Sequence, residues 1–344
     1  MTKFFFPFLF VCCLQAPIVS AQANCFIAQN NERLTNYCLL ETIKGKLINR
    51  PTMQVIAKRL LREGYLGGLK NTEFSTSVFP EFYYSTNING GNPDKKLRLG
   101  DLEFVGDQNL VAKKGILLGL NANLMARKTY GAGRYVDGSF SLSYAKSPEH
   151  NLSVKSANIQ ACSQNHFKSQ FYLDICASKN ESRKAISSDS TKSVKVSLSN
   201  LDFGRGNNFQ EKKVSLLGLD KNNYFQKQLQ VSLDTIHSGN LATSFRWKAG
   251  QRLSNQHVMR NGIGISTTRN IYGRNFQFIM EVENWSGQKF FGVDRVDQIR
   301  NISVSTSIDS LTKISIGLSK QISNIDYYDS TSPSLSLTRK LWFE

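Results

Sequence analysis

Two periodicities divide the chain. Met53, Ile56, Ala57 and Leu60 recur at the spacing of one helical face, with Thr52 where a cap belongs and Gly64 where a helix stops. One amphipathic helix is predicted there, and a weaker one before it around Leu34 to Ile43. From Ser77 onward the period falls to two. Val194, Val196 and Leu198 alternate with Lys195, Ser197 and Ser199, and Leu229, Val231 and Leu233 with Gln230 and Ser232. The same holds for Phe276, Phe278, Met280 and Val282 against Gln277 and Glu281, and for Ile314, Ile316 and Leu318 against Ser315, Gly317 and Ser319. Such alternation gives a strand one dry face and one wet face. About fourteen such segments, each of roughly eight to twelve residues, follow one another between Gly, Asn, Asp, Ser and Lys.

A soluble β-sandwich alternates too. The segments, however, are as long as a tilted membrane strand, and their second face is small or polar almost throughout. The pattern predicts an all-β fold, an antiparallel transmembrane β-barrel of about 14 strands around a wet lumen, preceded by a short α-helical segment. The final segment, Leu335, Leu337, Arg339, Leu341 and Phe343, ends on a penultimate aromatic before Glu344, much as outer-membrane barrels end on a terminal aromatic. Arg339 on its outward face must lie near an interface, since a midplane arginine costs about 2–4 kcal/mol. Aromatics crowd the strand ends at Phe82, Tyr83 and Tyr84, at Phe290 and Phe291, and at Tyr327 and Tyr328. An interfacial girdle or ordinary loop packing accounts for them.

Lys3, the apolar run Phe4 to Cys13 and the small residues Val19-Ser20-Ala21 form a secretory signal peptide over 1–21. The run is short for a membrane helix, and Pro7 and Pro17 interrupt it. Residues 22–76 are then a short helical periplasmic segment, a plug or cap, and 77–344 the barrel, placed in the outer membrane of a Gram-negative cell. Export removes two of the six cysteines and leaves Cys25, Cys38, Cys162 and Cys176 where disulfides form. Two local pairs, Cys25 with Cys38 and Cys162 with Cys176, are expected, with free buried thiols as the alternative.

The formal net charge of +17 means that partners meet positive potential. Export and the scatter of the basic residues exclude nucleic acid. Outer-membrane lipids and lipopolysaccharide, an anionic solute or an acidic protein client fit the address better. Lys155, Lys195, Lys213, Arg246, Lys248 and Lys313 share parity with the small polar residues of their segments and are expected to form a basic lumen, selective for anions or merely solvating it. HExxH, GxSxG and P-loop patterns are absent, and the histidines are scattered, so no enzyme, cofactor or metal is expected.

The corner from "TNING" through "LGDLEF" to "DQNLVAKKG", leading into "ILLGLNANL", resembles the barrel domain of the surface lipoprotein assembly modifiers. Asn87, Ile88, Asn89, Leu102, Phe104, Asp107, Lys113 and Gly115 carry the resemblance, with Asp101 as an insertion after Gly100. It implies an outer-membrane barrel that promotes translocation or display of lipoproteins at the cell surface, with a surface lipoprotein as client. Family members usually carry a longer tetratricopeptide array, where this chain has room for little more than one helical pair, at 28–68. The residues alone leave open a passive anion-selective, porin-like channel or a structural barrel.

Overall fold

A β-strand facing lipid on one side and water on the other is stable only when its backbone groups are paired along both edges. The protein meets this demand by closing its sheet on itself. The structure, a computed structural model, describes residues 24–28, 31–43, 50–65, 72–99, 102–168, 170–204, 208–221, 224–309 and 311–342. The expected signal peptide, Phe343 and Glu344 lie outside these residues.

A single 3-10 turn (Cys25–Ala28) and helices α1 (Glu32–Ile43) and α2 (Arg50–Arg62) precede β1 (Thr72–Ser85). A small hairpin, β2 (Lys96–Leu99) and β3 (Leu102–Val105), decorates the loop that follows. Then come β4 (Gly115–Gly131), β5 (Arg134–Lys146), β6 (Ser153–His166), β7 (Phe171–Arg183), β8 (Ser188–Gly204) and β9 (Asn208–Lys221). The wall continues with β10 (Tyr224–His237), β11 (Leu241–Gly250), β12 (Val258–Ile271), β13 (Arg274–Phe290), β14 (Val293–Ser307), β15 (Thr312–Ser323), β16 (Ser330–Arg339) and β17 (Leu341–Trp342). Among the described residues, β1 and β4 to β16 form a closed antiparallel ring of fourteen strands in sequence order, and β17 continues β16. No helix among them is long and apolar enough to cross a membrane.

The predicted alternation is the two faces of this wall. Val194, Val196, Leu198, Val214, Leu216, Ile263, Ile265, Phe278, Met280, Ile316 and Leu318 are all exposed on the outside, an apolar belt that only lipid can cover. Ser197, Ser199, Ser215 and Ser232, one residue out of phase, are buried toward the lumen. Arg339, the last residue of β16, stands opposite Thr312 at the strand end, off the midplane as its cost requires. Short turns gather at the end that holds the start of β1. One is the Tyr272-Gly273 hairpin, where both residues take positive φ (50° and 77°) as a two-residue turn demands. By the rule for outer-membrane barrels this is the periplasmic end, and the long loop 86–114 lies at the outer end.

Closure is uneven. Between β1 and β4 the ladder runs unbroken from Thr72↔Lys128 to Ser85↔Gly115. Between β1 and β16 it runs only from Glu81↔Thr338 to Tyr84↔Leu335, then resumes for Ser77↔Trp342 and Val78↔Leu341. The gap falls at Pro80, which has no N–H to give, and Pro333 lies just past the other end of the ladder.

Replacing a belt residue such as Leu216, 64% exposed on the outer face, by Arg is expected to lower the unfolding free energy in phospholipid vesicles by about 2–4 kcal/mol. Lys at lumen-facing Ser303 should change it far less. Guanidinium titration followed by tryptophan fluorescence measures both.

Candidate functional site: a plugged lumen

The predicted helical segment is a plug, and it lies inside the barrel. Its fold starts from the Cys25–Cys38 disulfide, which ties the 3-10 turn to α1 as predicted. Asn31 caps α1, its Oδ1 accepting from the Leu34 amide at 3.0 Å. Cys25, Ile27, Leu34, Cys38, Leu39 and Ile56 are buried against Tyr172, Leu201, Phe209, Ile236 and Ala242, wall residues near the periplasmic turns. Ile56 and the partly buried Leu60 are the apolar face expected of α2, while Met53, the first residue of that stripe, stays exposed. Gly64, at φ 80°, ends the helical run as predicted.

Polar contacts fix the plug in one orientation. Arg33 reaches across the lumen to donate to Asp174 at 2.7 and 3.2 Å and to Ser199 at 2.9 Å, with Glu211 at 3.5 Å and the Tyr172 ring 4.1 Å below its guanidinium. Burial opposes that charge, but hydrogen bonding to Asp174 and the charges of Asp174 and Glu211 prevail and hold the guanidinium above its usual range. The amide of Asn31 donates to Glu211 and, at 3.0 Å, to Asp234. Glu32 meets Arg127 at 3.1 Å, and Arg62 meets Glu73 of β1 at 2.9 Å. Four successive wall strands, β7 to β10, thus contribute to the two docking residues Asn31 and Arg33.

Glu63, just past α2, is buried and accepts from Asn36 Nδ2 at 2.7 Å. Burial and the neighbouring Glu32 push its carboxyl up to about 7, against the hydrogen bond from Asn36 and the charges of Arg33 and Arg127. Between the plug and β10 to β13 a cavity of about 340 Å³ remains, lined by Asn31, Asp234, Arg246, Gln277 and Glu281 among others.

At the outer end, the loop that begins at Thr86 is held by the motif residues around Ile88. Ile88 is fully buried with Leu117 and Ala145, beside Tyr83, Leu152 and Val154. The Asn87 side chain accepts from the amides of Gly90 and Gly91 at 2.8 and 2.9 Å, and Asn89 closes an Asx turn by accepting from the Gly91 amide at 3.3 Å. Asn89 accepts from the Lys113 amide at 2.8 Å, and its carbonyl accepts from the Ile186 amide. Lys184 Nζ donates to the Asn87 carbonyl at 2.9 Å, so the turn is tied to the β7–β8 connection across the mouth. Asp107 caps a short 3-10 turn through the Asn109 amide, and Gly115 starts β4. The backbones of Leu102 and Phe104 lie in β3, and their side chains fall outside the described residues.

Of the residues expected to make a basic lumen, Lys195, Lys213, Arg246, Lys248 and Lys313 lie on the inner parity of the wall. Lys155 does not. It stands opposite Tyr144, an outward residue, with Nζ 5.7 Å from the ring centre, because its neighbour Val154 turns inward to pack beside Ile88. Carboxylates interleave with the inward cations: Lys213 meets Glu211 at 3.1 Å, and Lys248 meets Glu281 and Glu283 at 2.6 and 2.8 Å. The wall is mixed in charge where a basic one was expected. Cys162 and Cys176, directly opposite in β6 and β7, form the second predicted disulfide on this inner face. Phe290, Tyr327 and Tyr328 stack together at the outer rim, with Arg295 3.4 Å from the Tyr328 ring centre.

Sequence reasoning missed Arg33, Asn31, Glu63 and the acidic wall residues that receive the plug. One signal existed: Asp174 and Asp234 sit on lumen parity in strands whose other inward residues are mostly small or polar, and Glu211 shares that parity in β9.

No protein-family model and no curated protein matches the chain. Among solved structures it is similar to Pseudomonas aeruginosa OccK10 (OpdN), at 8% identity over 79% of this chain and 100% of that one, with a TM-score of 0.43. Acinetobacter baumannii OccAB2 gives 6% identity over 80% and 98%, with a TM-score of 0.41. The P. aeruginosa outer membrane protein OpdK gives 6% over 78% and 99%, again at 0.41. Each is a distant likeness.

Arg33→Met leaves the largely buried Asp174 without its cation, while Lys213 still meets Glu211, and breaking a buried pair in this way costs about 3–5 kcal/mol. The plug should loosen while the barrel stays folded. Limited proteolysis within residues 31–65, compared with heat-modifiable gel mobility, separates the two. Because Glu63 is raised from the ordinary carboxylate range to about 7, the stability it contributes to docking is fully present below the ordinary value and is lost as pH rises through about 7. Hydrogen exchange of α1 and α2 across that interval should show the loss, and Glu63→Gln should flatten it.

Proposed function

We propose that the chain is a porin-like channel of the outer membrane, passing small polar solutes rather than catalysing a reaction, with its own N-terminal helices as the resident obstruction. The observation that carries this reading is the cavity of about 340 Å³ that remains between the docked plug and the polar β10–β13 wall. A closed barrel with polar side chains inside and apolar ones outside supports passage through the lumen, and the plug narrows it. The interleaved Lys, Arg, Asp and Glu side chains support weak charge selection in place of strong anion preference.

Planar-bilayer conductance tests this. The full chain should give small single-channel steps, and Arg33→Met larger or more frequent ones. Arg246→Gln together with Lys195→Gln should shift the reversal potential toward cations. Absence of conductance in both the full chain and Arg33→Met would overturn the channel reading.

A second reading, display of a lipoprotein at the cell surface, draws on the resemblance of residues 79–120 to the surface lipoprotein assembly modifiers. The short ladder between β1 and β16 favours it, since a lipid-bearing client needs a way out of the lumen. Protease shaving of cells with and without the gene reports on it directly, and unchanged exposure of every surface lipoprotein would remove it.

A further inference from the structure

Two cations stand directly opposite each other on the lipid face of the wall. Arg300 of β14 is paired across the ladder with Lys320 of β15. Both are exposed, and both share the outward parity of the belt, two residues beyond Ile302 and Leu318 toward the outer end. Like charges set opposite in adjacent strands repel. Among the described residues neither cation meets a carboxylate. Glu281, Glu283 and Asp297 of β13 and β14 lie on lumen parity and are held by Lys248 and Arg295. Other outward cations near the outer end are neutralised within the chain: Lys179 and Arg183 meet Glu181 at 2.7 and 3.9 Å, and Lys192 meets Asp220 at 3.8 Å. The Arg300–Lys320 pair must find its counter-charge elsewhere.

A run of hydrogen bonds along the outward face aims the arginine. Asn284 Nδ2 donates to Asn261 Oδ1 at 2.6 Å, Gln298 Nε2 to Asn284 Oδ1 at 3.1 Å, and Arg300 Nε to Gln298 Oε1 at 2.7 Å. The guanidinium is thus fixed through Nε, and its terminal nitrogens are left to grip an anion. On the far side of Lys320 stands the exposed Thr331. Toward the periplasm the outward positions are apolar, at Met280, Ile302, Val304 and Ile316. Toward the outer end those of β12 to β14 turn polar at Asn261, Asn284 and Gln298. The pair therefore sits at the outer edge of the belt, the depth at which a lipid-facing charge is tolerated and at which outer-leaflet head groups lie.

We infer that Arg300 and Lys320, with Gln298 steadying the arginine, form a site for a lipid phosphate of the outer leaflet, the phosphomonoester on the lipid A part of lipopolysaccharide. A phosphomonoester carries close to two negative charges and three terminal oxygens, so one group can bridge both cations. The diester of an ordinary phospholipid brings a single charge and satisfies the pair less well. The acyl chains of the bound lipid lie over Ile302, Val304 and Leu318, directly below the cations. Such a site goes beyond the channel reading and needs only the outer-membrane address, so it is independent of whether the lumen conducts.

Native mass spectrometry of the full chain, released from detergent micelles after titration with bisphosphorylated lipid A, tests this. Dephosphorylated lipid A and phosphatidylglycerol are the control lipids. The full chain is expected to retain bisphosphorylated lipid A in preference to both. Arg300→Gln together with Lys320→Gln should weaken that binding about tenfold or more. Gln298→Ala, which leaves both charges in place and frees the guanidinium, should weaken it by a smaller factor. Lys179→Gln together with Lys192→Gln removes two outward cations that already meet carboxylates and should leave it unchanged. Heat-modifiable mobility checks that every variant is a folded barrel, and none of these side chains lies in the lumen or in the plug's docking site. Unchanged binding in the Arg300–Lys320 double variant overturns the inference. So does an equal loss in the Lys179–Lys192 variant, which would reduce the effect to overall charge. Retention of dephosphorylated lipid A or of phosphatidylglycerol as strongly as the bisphosphorylated lipid overturns it as well, the first by removing the phosphate and the second by making any phospholipid sufficient.

Discussion

Hydrocarbon offers a backbone amide no partner, and that single fact orders this molecule. Strands must pair on both edges, so the sheet has to close, and closing it creates an inside that water or protein must occupy. The outer surface is then fixed as an apolar belt and the inner one is left free to carry charge. Asp174, Glu211, Asp234 and Arg127 use that freedom, and they do so on the part of the wall that meets the N-terminal helices. The plug is thus a consequence of closure as well as an occupant of it.

Charge inside such a wall is held at lower dielectric than at a protein surface, so pairing is required more strictly there. Arg33 is met by the carboxylates of Asp174 and Glu211, the Gln164 amide oxygen, a hydroxyl and an aromatic face, and Asn31 and Glu32 just before it make like contacts with β9, β10 and β4. This set of contacts gives the segment one position and not several. Hydrophobic contacts alone, between Leu34, Ile56, Leu201 and Phe209, would tolerate sliding.

Strand number, wall parity and both disulfides were legible because each depends on local alternation or short spacing. Parity failed at Lys155, where Val154 packs inward beside a residue sixty-six positions earlier in the chain, Ile88. The failure is informative: alternation says which residues share a face, and only the tertiary partner says which face is inside. The aromatic pairs illustrate the same limit. Phe82 and Tyr84 face lipid, Tyr83 between them packs beside Ile88, and Phe290 joins Tyr327 and Tyr328 in a rim cluster. The docking site of Asn31 and Arg33 was out of reach, since their wall partners come from strands more than a hundred residues downstream and no local pattern links Arg33 to Asp174. The motif around Asn87 could be recognised as a unit, and its structural reason, a buried Ile88 flanked by two side-chain-capped asparagines, came only from the fold.

The position of the plug at the front of the chain sets an order on biogenesis. The segment that ends inside the lumen precedes every strand of the wall that will hold it, and its Cys25–Cys38 loop is complete without them. Arg33 has no binding site until β7 to β9 have folded, and the ring shuts only when the last strand meets the first. The segment therefore cannot dock until that wall exists, and enclosure by the final strand turns a tethered peptide into an interior.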